Sequence, residues 1–459
     1  MPKITFIGAG STVFVKNVLG DCMFHECLKD SEIALYDIDG TRLRESKTVL
    51  DALNASINGN RATIRTYLGV ANRRKALRNA DFVVNAIQVG GYRPSTVIDF
   101  EIPKKYGLRQ TIADTLGIGG IFRALRTIPV MLDFGHDMEE VAPKAWLLNY
   151  TNPMAMLTGA MLRGTGVKTV GLCHSVQVCV RSLLRTLGMY DNQTHLEKGI
   201  TEETLGYRAK IAGINHMAWL LEITKDGKDV YPELRRKALA FVKKHRGRLE
   251  HPEVCGANLV RLEIMNRFGY YVTESSEHNA EYTPYWIKSQ YPELITEFGI
   301  PLDEYPRRCE KQIENWKRQY QELREGGAVE HKQSREFGSG IMAAITTNEP
   351  YRIAGNVLNH GLIDNLPADA VVEVPCLVDS NGVQGTHVGR LPAQCAALNM
   401  TNINVQLLTI EAALTLKREH IYHAAMLDPH TAAELPLHKI VALCDELIEA
   451  HGDMLPKYR

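Results

Sequence analysis

Near its start the chain reads as a strand, a glycine turn, a helix and a second strand ending in an acid, and no other feature constrains the fold as much. Ile4-Thr5-Phe6-Ile7 is a short apolar run of the kind that forms a buried strand; Gly8-Ala9-Gly10-Ser11 follows it, and Asp37 closes the run Ile33-Ala34-Leu35-Tyr36. Glycine at Gly8 and Gly10 lets the backbone turn sharply and approach a pyrophosphate seated on the amides that open the next helix. A carboxylate at Asp37 accepts hydrogen bonds from both hydroxyls of a ribose and repels a 2′-phosphate, which favours NAD over NADP. Val13 stands where the usual fingerprint has its third glycine. Taken alone, the turn also fits a tight strand-to-helix connection that holds no ligand.

The same alternation continues through Phe82–Ile87, Trp146–Asn149 and Lys168–Leu172. Strands alternating with helical stretches predict a parallel sheet covered on both faces, a Rossmann-type doubly wound fold of the lactate and malate dehydrogenase kind, with ligands gathered at the carboxyl ends of the strands. Polar or glycine-rich residues stand at several of those ends: Gln88-Val89-Gly90-Gly91, Asn149-Tyr150-Thr151-Asn152-Pro153 and Cys173-His174-Ser175. They are expected to converge on one crevice. Beyond about residue 195 the alternation is lost. Tyr207–Ile214, Trp219–Thr224 and Val371–Val378 read as strands, and the last helices as Asn404–Arg418 and Thr431–Ala450. This predicts an NAD-binding domain over residues 1–195 and a mixed α+β domain for substrate, metal and oligomerisation over 196–459. A length of 459 residues agrees with two domains.

The 53 basic and 53 acidic residues balance, which argues against a nucleic-acid or membrane-surface partner. Arg235-Arg236-Lys237 and Lys243-Lys244-His245-Arg246 are basic, but no aromatic platform is interleaved with them, so they read as solvated helix faces. Met1-Pro2-Lys3 leads straight into a strand, so no secretory leader is expected, and no apolar run is long enough to span a bilayer. Nine cysteines at irregular spacings do not suggest a disulfide framework in a chain of this size. A reduced, cytoplasmic setting is expected.

Cys173 and His216 each lie in a short polar break beside an apolar strand. A thiolate, an imidazole and substrate oxygens suit a divalent transition ion with open positions. A separation of 43 positions is also compatible with one buried cysteine and one hydrogen-bonded core histidine. Likewise Asn149 and Asn152 offer amides for sugar or ribose hydroxyls, or build a turn before Pro153.

Several segments together resemble glycoside hydrolase family 4. They are Phe6–Ser11, Thr111-Ile112-Ala113-Asp114-Thr115-Leu116-Gly117-Ile118-Gly119-Gly120, Asn149–Pro153, Gly171–Ser175, Gly213-Ile214-Asn215-His216-Met217 and Ser276-Glu277-His278-Asn279-Ala280-Glu281-Tyr282. Gly361–Pro367 and Asp428–Ala433 extend the resemblance nearly to the end of the chain. The resemblance implies an enzyme that depends on NAD and on Mn²⁺ or another divalent transition ion. It places the metal on Cys173 and His216, NAD on Gly8, Gly10, Ser11, Asp37, Gln88 and Asn149, and the sugar on Asn152 and His174. It makes Tyr282 the base, His174 the residue linked to leaving-group protonation, and Asp114 an acid that tunes the tyrosine. His174 stands where relatives acting on 6-phosphosugars tend to carry Asn or Asp, so the resemblance points to an unphosphorylated α-galactoside such as melibiose as the small-molecule substrate. A homodimer or homotetramer is implied as well.

The implied reaction takes hydride from C3 onto NAD⁺, removes the acidified C2 proton, eliminates the aglycone, adds water and returns the hydride. It leaves the nucleotide as it began. Other α-hexosides, an α-glucoside or an α-galacturonide, remain open to the same chemistry. A simple dehydrogenase of lactate or malate type would share the N-terminal pattern and need no metal. A non-catalytic NAD-sensing protein would bind the nucleotide without turnover.

Overall fold

The computed structural model describes residues 1–191, 200–248, 252–324 and 331–459. Six strands come first: β1 (Lys3–Ile7), β2 (Glu32–Asp37), β3 (Thr63–Leu68), β4 (Phe82–Asn85), β5 (Trp146–Asn149) and β6 (Lys168–Leu172). All their pairings are parallel and their spatial order is 3-2-1-4-5-6, the doubly wound arrangement that the alternation predicts. Ile4, Phe6, Ile33, Leu35, Val83, Val84, Leu147, Leu148 and Val170 are buried on it, as parallel strands covered on both faces require. β3 is an addition to the sequence reading. It forms the open edge of the sheet, and Thr63-Ile64-Arg65-Thr66-Tyr67-Leu68 stays largely exposed, so it carries no apolar run to reveal it.

The rest of the chain extends this same sheet. β7 (Tyr207–Ile214) and β8 (Met217–Lys225) form a hairpin, with β9 (Lys228–Asp229) and β10 (Tyr271–Val272) beside β8. β11 (Tyr351–Leu358) runs antiparallel to β6, and β12 (Val371–Asp379) pairs with β11, with β7 and with β13 (Gly382–Gly385). One sheet therefore runs from β10 to β3 across both halves. The expected boundary at residues 195/196 lies outside the described residues.

β11 was missed because Gly355 and Asn356 interrupt its apolar pattern. Both are needed where they are, opposite Leu172 and Gly171 at the end of β6. Two helix expectations are also corrected. Thr431–Ala450 is two helices, Pro429–Glu434 and Leu437–His451, parted at Pro436, which has no amide proton to continue the ladder. Asn404–Arg418 belongs to a longer helix, Ala393–Thr415, which ends as Leu416 turns left-handed at φ 59°.

Candidate active site

The strand ends of the parallel half build one wall of the crevice. After β1 the backbone turns at Gly8, φ 81°, and the amides of Gly8 and Ala9 both donate to the Tyr36 carbonyl. A β-carbon on Gly8 would lie 2.7 Å from the Ala86 backbone, so glycine is required for the close approach of this turn to β4. Asp37 accepts from the Gly10 amide at 2.6 Å and from the Asp39 amide at 2.8 Å, which fixes its carboxylate beside the turn. The helix Thr12–Cys22 then starts after Ser11, whose hydroxyl makes no capping bond, and its first amides have no intrahelical acceptor. Val13 is 56 % exposed, so this position meets no neighbour that demands a third glycine. Gln88 is exposed past the end of β4. Asn149 is fully buried instead: its side-chain oxygen accepts from Asn85 at 2.8 Å and from the Thr151 amide at 3.0 Å, so its amide is committed to the turn.

The other wall centres on Cys173, His216 and Glu274, whose ligand atoms lie within 4.8 Å of one another. Cys173 follows β6. His216 sits in the two-residue link of the β7–β8 hairpin at φ 62°, and Glu274 follows β10 at φ 64°. Left-handed backbone at residues that carry a β-carbon costs energy, and two of the three ligands adopt it. His216 Nδ1 is 2.9 Å from the Tyr282 hydroxyl and Nε2 is 3.5 Å from Glu274, which leaves Nε2 as the nitrogen for an ion. Burial works against ionisation of Glu274, but the neighbouring His216, His278 and Arg261 outweigh it and hold the carboxyl at about 2. The Cys173 thiol is pushed up by burial and by the Glu373 and Glu274 charges. A divalent cation is the charge that would hold it as thiolate, and thiolate, imidazole and carboxylate form a suitable donor set. Next to His216, Asn215 is fully buried with both amide atoms unpartnered, a further mark of a place made for a group outside the chain.

Tyr282 is fully buried and its ring stacks on that of His216. Burial, then Asp114 and Glu281, push its phenol well above its ordinary value, against a hydrogen bond with Thr115 that lowers it. Asp114 lies in the Thr111–Gly120 loop. It accepts from the Thr115 hydroxyl at 2.8 Å and from the Asn152 amide at 3.2 Å. Burial opposes its ionisation, and Arg123, His278 and His216 overcome this and bring its carboxyl below the usual value. The loop is held by Glu281, which accepts from the amides of Thr111, Ile112 and Ala113 at 2.9, 3.3 and 2.8 Å. A β-carbon on Gly119 would meet Ala113 at 2.7 Å, so this glycine serves the loop's own folding. His174 is half-exposed, and its Nε2 is 2.7 Å from Glu336, a hydrogen bond that raises its pKa.

Two family models match the chain: "Family 4 glycosyl hydrolase" over residues 3–190 and "Family 4 glycosyl hydrolase C-terminal domain" over residues 211–431. The chain belongs to glycosyl hydrolase family 4. Relatives within it include the alpha-galactosidase of Bacillus subtilis (strain 168), 59 % identical over 459 residues and all of both chains. Another is the alpha-galactosidase of Rhizobium meliloti (strain 1021), 34 % identical over 99 % of this chain and 89 % of the relative. A solved 6-phospho-alpha-glucosidase from gut microorganisms, in complex with NAD and Mn²⁺, has the same fold, with a TM-score of 0.78 and 19 % identity over all of both chains.

Within this family 4 site, the structure brings Cys173, His216, Tyr282, Asp114 and Asn152 to one wall, and Gly8, Gly10, Ser11 and Asp37 to the turn after β1. Sequence reasoning missed Glu274, His278, Glu281 and Glu336. The first three stand in Thr273-Glu274-Ser275-Ser276-Glu277-His278-Asn279-Ala280-Glu281-Tyr282, a polar run whose residues are nearly all buried. That density of polar residues was the available signal. Glu336 had none: it reaches His174 only because the chain returns to the crevice before the helix Phe337–Thr347.

Proposed function

We propose that this chain hydrolyses terminal α-galactosides, melibiose among them, by an oxidation and elimination sequence that depends on NAD and on Mn²⁺ or a similar divalent ion. The observation that carries the reading is the cluster of Cys173, His216 and Glu274 in the same molecule as a dinucleotide turn closed by Asp37. Plain displacement by two carboxylates needs neither. Full-length identity of 59 % to an alpha-galactosidase supports the choice of sugar. The 6-phospho-alpha-glucosidase solved with NAD and Mn²⁺ supports the pair of cofactors.

In this reading Gly8, Gly10 and Ser11 would hold the nucleotide's phosphates and Asp37 its ribose. Gln88, exposed past the end of β4, would add a polar contact, and Asn149 contributes through the turn it builds. Ile38, Leu68 and Val70 are exposed apolar side chains near Asp37 that suit the face of a base. When bound, the nucleotide supplies a reversible hydride acceptor for C3 of the sugar, and the ion on Cys173, His216 and Glu274 supplies a Lewis acid. Tyr282 takes the C2 proton, with His216 as the hydrogen-bond donor that favours its phenolate over the burial that opposes it. His174, paired with Glu336, gives a proton to the glycosidic oxygen as the C1–O bond breaks. Asp114 and Asn152 hold the sugar side of the crevice. Water then adds at C1 as His174, unprotonated after the first step, takes its proton, and Tyr282 returns a proton to C2.

The division into a nucleotide part, 1–195, and a substrate and metal part, 196–459, is supported by the two family models that match on either side. A cytoplasmic setting is supported by the free cysteines among the described residues. None of the described helices is long and apolar enough to cross a membrane. The balanced charge speaks against a nucleic-acid partner. Assembly as a homodimer or homotetramer is part of the reading, and light scattering measures it.

Hydrolysis of 4-nitrophenyl α-galactoside in D₂O, with and without NAD⁺ and Mn²⁺, tests the reaction class. The expected result is galactose deuterated at C2, formed only with both cofactors. Undiminished hydrolysis without NAD⁺, and no deuterium at C2, would overturn the reading.

A further inference from the structure

We propose that His278 and Asp114 form a two-sided clamp for one non-reacting hydroxyl of the sugar, at C4 or C6, so that His278 is a substrate-binding and specificity-determining residue. The inference deepens the proposed glycoside chemistry and rests on it. His278 is only 9 % exposed at its side chain, and its Nδ1 is anchored 2.8 Å from the Ser275 hydroxyl. Its ring stands edge-on to His216 with centroids 4.8 Å apart, at the rim of the metal cluster. The second nitrogen, Nε2, points to Asp114 Oδ1 across 3.9 Å.

That distance is too long for a direct hydrogen bond and suits one oxygen in between. A hydroxyl about 2.8 Å from each atom spans the gap with an angle of about 90° at its oxygen, accepting from Nε2–H and donating to the carboxylate. Both partners have capacity for it. The Ser275 hydroxyl can donate to Nδ1, the arrangement that places the imidazole proton on Nε2 for the sugar oxygen. Asp114 Oδ1 accepts one bond, from Thr115, and Oδ2 takes the one from Asn152, so Oδ1 keeps a lone pair. Asn152 adds a buried side-chain oxygen with no partner beside the same carboxylate.

Asp114 is fixed independently of any ligand. Glu281 grips the three amides that precede it, and Ala113 turns left-handed at φ 50° to present it. A rigid donor and a rigid acceptor separated by one oxygen discriminate strongly, because an analogue without the hydroxyl leaves the buried Nε2–H without an acceptor and one lone pair of Oδ1 unused. Hydroxyls at C2 and C3 take part in the chemistry, which leaves C4 and C6 for the clamp.

The test pairs the holoenzyme, loaded with NAD⁺ and Mn²⁺, with aryl α-galactosides lacking the C4 or the C6 hydroxyl. It reads kcat/KM, and it also reads Kd for free galactose and the corresponding deoxygalactoses by calorimetry. In the unsubstituted enzyme, deoxygenation at the clamped carbon is expected to cost about 100-fold or more in kcat/KM. In His278→Ala that penalty shrinks to a few-fold, while the penalty at the other carbon and the Mn²⁺ affinity hold. Asp114→Asn runs the same cycle from the acceptor side and serves if His278→Ala does not fold. Equal penalties in variant and unsubstituted enzyme at both carbons, in a protein that turns over galactosides, overturn the clamp alone. Absence of both turnover and galactose binding overturns the clamp together with the glycosidase reading.

Discussion

The two walls of the crevice are built in opposite ways. The nucleotide wall is local: Gly8, Gly10, Ser11 and Asp37 lie within 30 residues, and the bonds that fix it are given by backbone amides to the Tyr36 carbonyl and the Asp37 carboxylate. The metal wall gathers Asp114, Cys173, His216, Glu274, Tyr282 and Glu336 from most of the chain, and its bonds run through side chains. A wall made of backbone tolerates change in any side chain that does not touch it, as Val13 shows. A wall made of side chains depends on each member and on the loops that aim them.

If the walls act separately, substitutions in one leave the other's ligand untouched. Cys173→Ser and His216→Ala carry the largest expected effect, a loss of about 10³-fold or more in Mn²⁺-stimulated hydrolysis. NAD⁺ affinity, read by fluorescence titration, stays within a few-fold. A large fall in NAD⁺ affinity in both variants would break the separation. Gly8→Ala is expected to do the converse: the new β-carbon meets the Ala86 backbone at 2.7 Å and the residue must hold φ 81°. It should weaken NAD⁺ binding by about 100-fold with Mn²⁺ affinity retained, or lower the melting temperature by several degrees.

Glu274→Gln sharpens the comparison at the third ligand. Mn²⁺ affinity, measured by electron paramagnetic resonance, is expected to fall about 10- to 100-fold with no change in NAD⁺ affinity. Unchanged Mn²⁺ affinity would remove Glu274 from the ligand set. Asp37→Ala is smaller: about 10-fold in NAD⁺ affinity, with discrimination against NADP⁺ reduced.

The smallest effect is on stability. Burial, against the Thr111 and Ala113 amides, lifts the Glu281 carboxyl to about 7 from an ordinary 4.5. A carboxyl raised on folding holds its proton better in the native state, so its contribution is present below about 4.5 and is lost as pH rises to about 7. Calorimetry of Glu281→Gln should show a flatter dependence of melting temperature on pH across that window. An unaltered slope would place the titration elsewhere.

Much of this was legible in the sequence, unevenly. The parallel strands were readable where they are buried on both faces, while β3, at the open edge, was not. Cys173 and His216 were found through their motifs, and spacing alone left a core cysteine and a core histidine open. Glu274 and His278 went unassigned although both stand within or beside a motif that was quoted, because a polar run reads as surface until packing buries it. Asn149 carried two readings, and its buried bonds to Asn85 and Thr151 favour the turn.

What the sequence determined by itself is the nucleotide turn and the parallel, doubly wound character of the sheet around it, because both follow from local backbone geometry and from apolar runs that alternate with helices. Only the tertiary structure decided that β11 and β12 continue that sheet and bring β7 and β10 into it. There His216 and Glu274 meet Cys173. Those contacts come from antiparallel pairing between strands far apart in the chain, and no local preference specifies which distant strand will be the partner.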